Sequence, residues 1–191
     1  MQPSQKLTNK PTKKDYGILS VVFQLYADVR SHFKIPPTVF YPAPKVDSIL
    51  IGVHFKGPNQ LRQRLAGVQP AHLRRIVTTS FQQRRKTVRN SLKKLANELC
   101  DGDAERVKAM LDSPPLPLPT IVQQAKDDGD EFAKKQQLPD DWATKRPEEL
   151  TPGQFIELTR IFFGPADPTQ EEVSAPLGVK VWRKMKHGKG L

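Results

Sequence analysis

The chain has 191 residues, 37 % hydrophobic, with 18 prolines, so it allows one large domain or one and a half small ones with part of the chain unpacked. The net charge of +11 is uneven: +5 over residues 1–57, +9 over 58–100, −5 over 101–141 and +2 over 142–191. One cysteine, Cys100, excludes an intramolecular disulfide and a cysteine-based zinc site, which suits a reducing intracellular setting, and no apolar run reaches the length of a membrane span.

The opening MQPSQKLTNKPTKKDYG has no apolar core and is not a secretory signal. Its two prolines and lack of arginine also argue against a transit peptide. Asp15 or Ser20 is placed to cap a helix reaching about Arg30, with Leu19, Val22, Phe23, Tyr26 and Val29 at helical spacing. Ser31–Ile35 alternates as a short strand with Phe33 and Ile35 inward, stopped by Pro36-Pro37. A clearer strand follows, with Ile49, Ile51, Val53 and Phe55 apolar at period two. Helix, strand, rigid loop and strand make the edge of an α/β sheet rather than a complete domain.

The densest charge lies in HLRRIVTTSFQQRRKTVRNSLKKLANEL, residues 72–99. At helical spacing Leu73, Ile76, Val77, Phe81, Val88, Leu92, Leu95 and Leu99 form one apolar stripe. The other faces hold Arg74, Arg75, Arg84, Arg85, Lys86, Arg89, Lys93 and Lys94, with no acid before Glu98 to form the usual i,i+4 pairs. The stripe is expected to pack on a core while the basic faces meet a polyanion. Arg84, Arg85, Lys86, Arg89 and Asn90 form a candidate phosphate-contacting surface. The plainer alternative is a solubilising surface. A membrane-surface helix would need bulky aromatics on a broad apolar face, and only Phe81 supplies one. Pro70 suits the first turn of this helix, and Thr87 marks a break near 84–87.

From Asp101 to about Asp141 the periodicity decays into SPPLPLP and an acidic run, and a largely disordered insertion is expected. Thr151-Pro152-Gly153-Gln154 is a capping box opening a last helix with Phe155, Leu158, Thr159 and Phe162 on its stripe, ended by Gly164-Pro165. Residues 165–191 form a basic tail that Trp182 could anchor.

The loop Phe40-Tyr41-Pro42-Ala43-Pro44-Lys45-Val46-Asp47-Ser48 is the second candidate site. Prolines fix its backbone, so an aromatic there is preorganised to stack on a base taken out of its helix. Composition alone favours the plainer reading, Phe40 or Tyr41 plugging the core beside the strand, with Lys45 and Asp47 as a surface pair.

KPTKKDYGILSV, FYPAPKVDS and FQQRRKTVRNSL, in that order and closed by RPEELTPGQFIEL, resemble the ribosomal RNA adenine dimethyltransferase family. This is the kasugamycin-resistance type of bacteria, with relatives in mitochondria and plastids, and the resemblance covers about residues 6–100 and 145–163. It implies an S-adenosylmethionine-dependent enzyme, without a metal, that dimethylates N6 of two adjacent adenines near the small-subunit rRNA 3′ end. It further implies that Phe40 stacks on the flipped adenine, that Pro42, Pro44 and Lys45 shape the wall, and that Arg84, Arg85, Lys86, Arg89 and Asn90 bind rRNA. The partners implied are small-subunit rRNA and the assembling small ribosomal subunit. The setting would be bacterial cytoplasm, plastid or mitochondrion, with no membrane partner.

The fold implied is the last helix and strand pair of a Rossmann-like methyltransferase sheet (residues 1–57) followed by a small all-α rRNA-binding domain (58–100 and 142–164). The sequence departs from the family in one large respect: it holds no GxGxG loop for the cofactor and no [ND]xPY motif for the adenine amine. The expectation is therefore a C-terminal part of such an enzyme, inactive alone. The alternatives are a non-catalytic RNA-binding or ribosome-assembly module, or one half of a split enzyme whose missing N-terminal methyltransferase half is another chain.

Overall fold

The computed structural model describes Pro11 and residues 15–164. A hairpin and a helical body make up the described chain. The first helix, α1 (Ile18–Tyr26), is opened by Ser20, whose Oγ accepts from the Gly17 N–H. It stops at Tyr26, not near Arg30 as the apolar spacing suggested. The reason is the ladder that takes over the next backbone groups. Strand β1 (Ala27–Ile35) pairs antiparallel with β2 (Ser48–Phe55), setting Ala27 opposite Phe55 and Val29 opposite Val53, and Lys56 N–H donates to Tyr26 O.

The ladder is irregular between Ser31 and Lys34. The inward-facing expectation fails for Phe33, 59 % exposed, while Ile35 is half-buried; of the period-two residues Ile49, Ile51 and Val53 are half-buried and Phe55 is 75 % exposed. Among the described residues the sheet has two strands, and no further layer covers these side chains. The fold is thus mixed α/β, a small sheet beside a helical body.

The basic stretch forms two helices, α2 (Pro58–Leu65) having first carried the chain across from the sheet. Helix α3 (Pro70–Gln82) starts with proline at its first position and α4 (Val88–Leu99) begins at Thr87, whose side chain accepts from Asn90 N–H. The break falls at Gln83–Lys86, and the extended Thr87 that follows restarts the helix as its N-cap. The predicted stripe is buried from Leu73 to Leu95, with Leu99 packed at its margin.

Residues 101–141 correct the expectation of disorder. They form α5 (Ala104–Leu111), α6 (Thr120–Asp127) and the single turn α7 (Glu131–Lys134). Asp103 accepts from the N–H groups of Glu105 and Arg106, and Asp130 from that of Phe132, so acids read as solvated charge are helix caps. Val107, Leu111, Val122, Ala133 and Leu138 are all buried. Trp142, 1 % exposed, closes the segment by donating its indole N–H to Ser113 O. Arg64 of α2 lies over the Phe132 ring at 4.4 Å, a cation–π contact joining the segment to the rest.

The last helix, α8 (Pro152–Phe163), has the predicted capping box and is buried on nearly all sides, as the central element of a bundle must be. One cluster unites Tyr16, Val21 and Leu25 with the residues of α3, α4 and α8, so the helical core draws on residues from both sides of position 57. Tyr16 seals that junction by donating to Leu150 O at 2.8 Å. The basic tail with Trp182, and most of the opening seventeen residues, lie outside the described residues.

Candidate nucleic-acid interface

The β1–β2 connection holds the first candidate site. Pro36 and Pro37 open a short 3-10 turn, Pro37–Val39, closed by the Phe40 N–H to Pro37 O, and the Tyr41–Pro42 peptide is cis. Phe40 is 41 % exposed and Tyr41 fully exposed, so neither plugs the core. Pro42 and Lys45 are exposed beside them, and Pro44 is half-buried. Among the described residues Lys45 and Asp47 form no ion pair, which removes the surface-pair reading. The loop presents an open aromatic ledge walled by proline.

The second candidate site is the α3–α4 turn. Arg84, Arg85, Lys86 and Asn90 are exposed, and Arg89 is half-exposed. The charge pattern alone suggested that all these cations lack partners, and the structure shows otherwise. Arg84 donates to Tyr16 O at 2.8 Å and to Glu148 at 3.3 Å, Arg89 is held by both oxygens of Asp112, and Arg75 meets Glu98 at 2.6 Å. The partners come from distant sequence, so no i,i+4 inspection could find them.

A helix N-terminus beside three cations would ordinarily be an anion site. Here its donors are occupied: Val88 N–H goes to Lys145 O, Arg89 N–H to Ala143 O and Asn90 N–H to Thr87 Oγ1. The backbone of this turn therefore has no free donor to offer an anion, and its side chains alone remain. The aromatic ledge and the basic turn sit on separate elements, with no hydrogen bond or ion pair joining them among the described residues.

A third feature was not foreseen from sequence. A polar cavity of about 240 Å³ lies between the base of the hairpin, α2 and the 122–136 segment, lined among others by Asp28, Lys56, Gln63, Arg64 and Gln136. Lys56 donates to both Asp28 oxygens at 2.7 and 2.8 Å, which holds that carboxyl below its ordinary range. Lys56 and Asp28 satisfy each other, Arg64 donates to Gln24 O and Gln136 to Glu157, so the cavity reads as a structural junction.

The family model described as ribosomal RNA adenine dimethylase matches residues 1–108, more than half of the chain. The chain belongs to this family. Among its relatives, a ribosomal RNA small subunit methyltransferase A of Salinibacter ruber is 32 % identical over 173 residues, spanning 88 % of this chain and 44 % of that protein. Its namesake in Magnetococcus marinus is 43 % identical over 91 residues, 47 % of this chain and 31 % of that one. The chain thus spans less than half the length of these relatives. In fold it resembles the crystal structure of a dimethyladenosine transferase from Plasmodium falciparum, with a TM-score of 0.52 at 18 % identity over 82 % of this chain and 53 % of that one.

S-adenosylmethionine is the cofactor the family implies, and the described residues do not fit it. A nucleoside cofactor is cradled where a strand meets a helix through close-packed glycines. The turn from β2 to α2 has the single Gly57, around which a Cβ would meet nothing within 4 Å, and Gly17 before α1 is equally open. Neither turn is a cradle.

Proposed function

We propose that this chain supplies the adenine-stacking wall and the RNA grip of an S-adenosylmethionine-dependent rRNA adenine N6,N6-dimethyltransferase. The observation that supports this is the pairing, in one family member, of an exposed proline-walled Phe40 with a basic turn on which Arg85 and Lys86 are exposed and hold no carboxylate among the described residues. Phe40 would stack on the extruded adenine, with Pro42, Pro44 and Lys45 fixing the plane it lies in. Base–aromatic stacking contributes about 1–3 kcal/mol, which offsets much of the few kcal/mol that taking a base out of its helix costs. Once held, its amine needs only placement against the methyl donor, and orientation supplies most of the rate.

Arg85, Lys86 and Asn90 form the face turned to small-subunit rRNA near its 3′ end, while Arg84 and Arg89 are tied to Glu148 and Asp112 at its edge. The methyl-donor site belongs to residues outside this sequence, in another segment or another chain, and the 191 residues alone do not turn over. A ribosome-assembly module without chemistry is the second reading, and the exposed Phe40 speaks against it, because a binder gains nothing from an adenine ledge.

The test is salt-dependent binding of an RNA carrying the small-subunit 3′ end. Arg85→Ala with Lys86→Ala should lower the log–log salt slope by about 1–2. An unchanged slope and affinity would remove RNA from the account.

A further inference from the structure

Resting on the reading of this chain as an RNA binder, we infer that the RNA backbone runs along the outer face of α4, over Lys93 and Lys94 toward Arg74, and bypasses Arg75 and Arg89. The structure divides the eight cations of α3, α4 and their turn into two groups. Arg75, Arg84 and Arg89 each hold a carboxylate, from Glu98, Glu148 and Asp112. Arg74, Arg85, Lys86, Lys93 and Lys94 are exposed and have no carboxylate partner among the described residues.

Position completes the argument. Val88, Leu92, Leu95 and Ala96 bury one side of α4, which puts Asn90, Lys93, Lys94 and Asn97 together on the other at i, i+3, i+4 and i+7. These four span about 10 Å of helix. The one acid within α4, Glu98, is already bound to Arg75. That same bond brings the start of α3 beside the end of α4, and exposed Arg74, next to Arg75 in the chain, is the cation we assign to the far end of the row.

Lysines on this row offer mobile ammonium groups suited to phosphate oxygens, and the two asparagines offer amides suited to phosphate or a 2′-hydroxyl. The helix N-terminus has no free donors to compete for the RNA, as its N–H groups are occupied. Arg89, clamped by Asp112, fixes the start of α4 against the 112–145 segment. It is a positioning residue.

The experiment uses the whole chain and a fluorescein-labelled RNA hairpin with an adenine-containing loop, titrated between about 50 and 200 mM potassium chloride. Lys93→Gln with Lys94→Gln should lower the log–log slope by about 1.4–1.8, so that the loss of affinity against wild type is roughly tenfold greater at the lower salt than at the higher, two phosphate contacts having been removed. Melting temperature should not move, both side chains being exposed. Arg89→Gln with Asp112→Asn preserves net charge and should leave the slope as in the wild type.

A wild-type slope in the lysine double variant overturns the track, as does an equal loss of slope in the Arg89/Asp112 pair. If Arg85→Ala with Lys86→Ala also leaves binding untouched, the RNA reading itself has failed. If that variant weakens binding and the lysine variant does not, only the track is wrong.

Discussion

Gly153, in the first turn of α8, decides whether residues 101–141 are packed or merely tethered. A Cβ built there would stand 2.8 Å from Gln136 Cα, 3.1 Å from its Cβ and 3.3 Å from its backbone nitrogen. No rotamer relieves contacts with main-chain atoms, so Gly153→Ala must push the 136 segment away from α8. Overpacking of this kind costs about 1–3 kcal/mol. Alanine regains at most about 1 kcal/mol in helix propensity, and less in a first turn. Strain wins, and the net loss is about 1–2 kcal/mol, a fall in melting temperature of roughly 3–6 °C for a chain of this size. Differential scanning calorimetry measures it, with Gly57→Ala as the control, since that Cβ meets nothing within 4 Å. If Gly153→Ala is as stable as wild type or more so, Gln136 does not sit against α8 and the ordered description of 101–141 is wrong.

Tyr16→Phe leaves the buried Leu150 carbonyl without its donor and should cost about 1–2 kcal/mol in urea unfolding; a neutral result would mean that bond is absent. Glu157 is 1 % exposed, and burial raises its carboxyl above the ordinary 4.5 against the opposing pull of Arg160. Its contribution to stability is full below about 4.5 and is lost as pH rises through the folded value. The stability of wild type minus that of Glu157→Gln should therefore decrease from acid to neutral pH, and a constant difference would contradict the raised value.

Local rules were enough where the chain makes its own decisions. Thr87 and Thr151 cap the helices they were expected to cap, Pro70 and Pro152 take first positions, and the Leu73–Leu95 stripe is buried. They failed where a distant partner decides. Tyr26–Arg30 has helical spacing, yet β2 draws residues 27–30 into a ladder. Asp103 and Asp130 looked like solvated charge because a capping acid is told from a surface acid only by the helix that starts after it. Val107–Leu111 at i,i+4 was the overlooked sign of α5. At the candidate sites the residues were legible and their pairing was not. Arg84, Arg85, Lys86, Arg89 and Asn90 do gather at one turn, but Asp112 and Glu148 reach it from 23 and 64 residues away.

The most direct test joins this chain behind the cofactor-binding half of a bacterial relative and measures N6,N6-dimethyladenosine in small-subunit rRNA by mass spectrometry, with RNA affinity read in parallel. The proposed division of labour predicts dimethylation by the joined protein and, for Phe40→Ala, a loss of methylation of about tenfold or more, matching loss of a stacking contact, with RNA affinity nearly unchanged. Full turnover in Phe40→Ala, or tight RNA binding without any methylation by the joined wild-type protein, would contradict it.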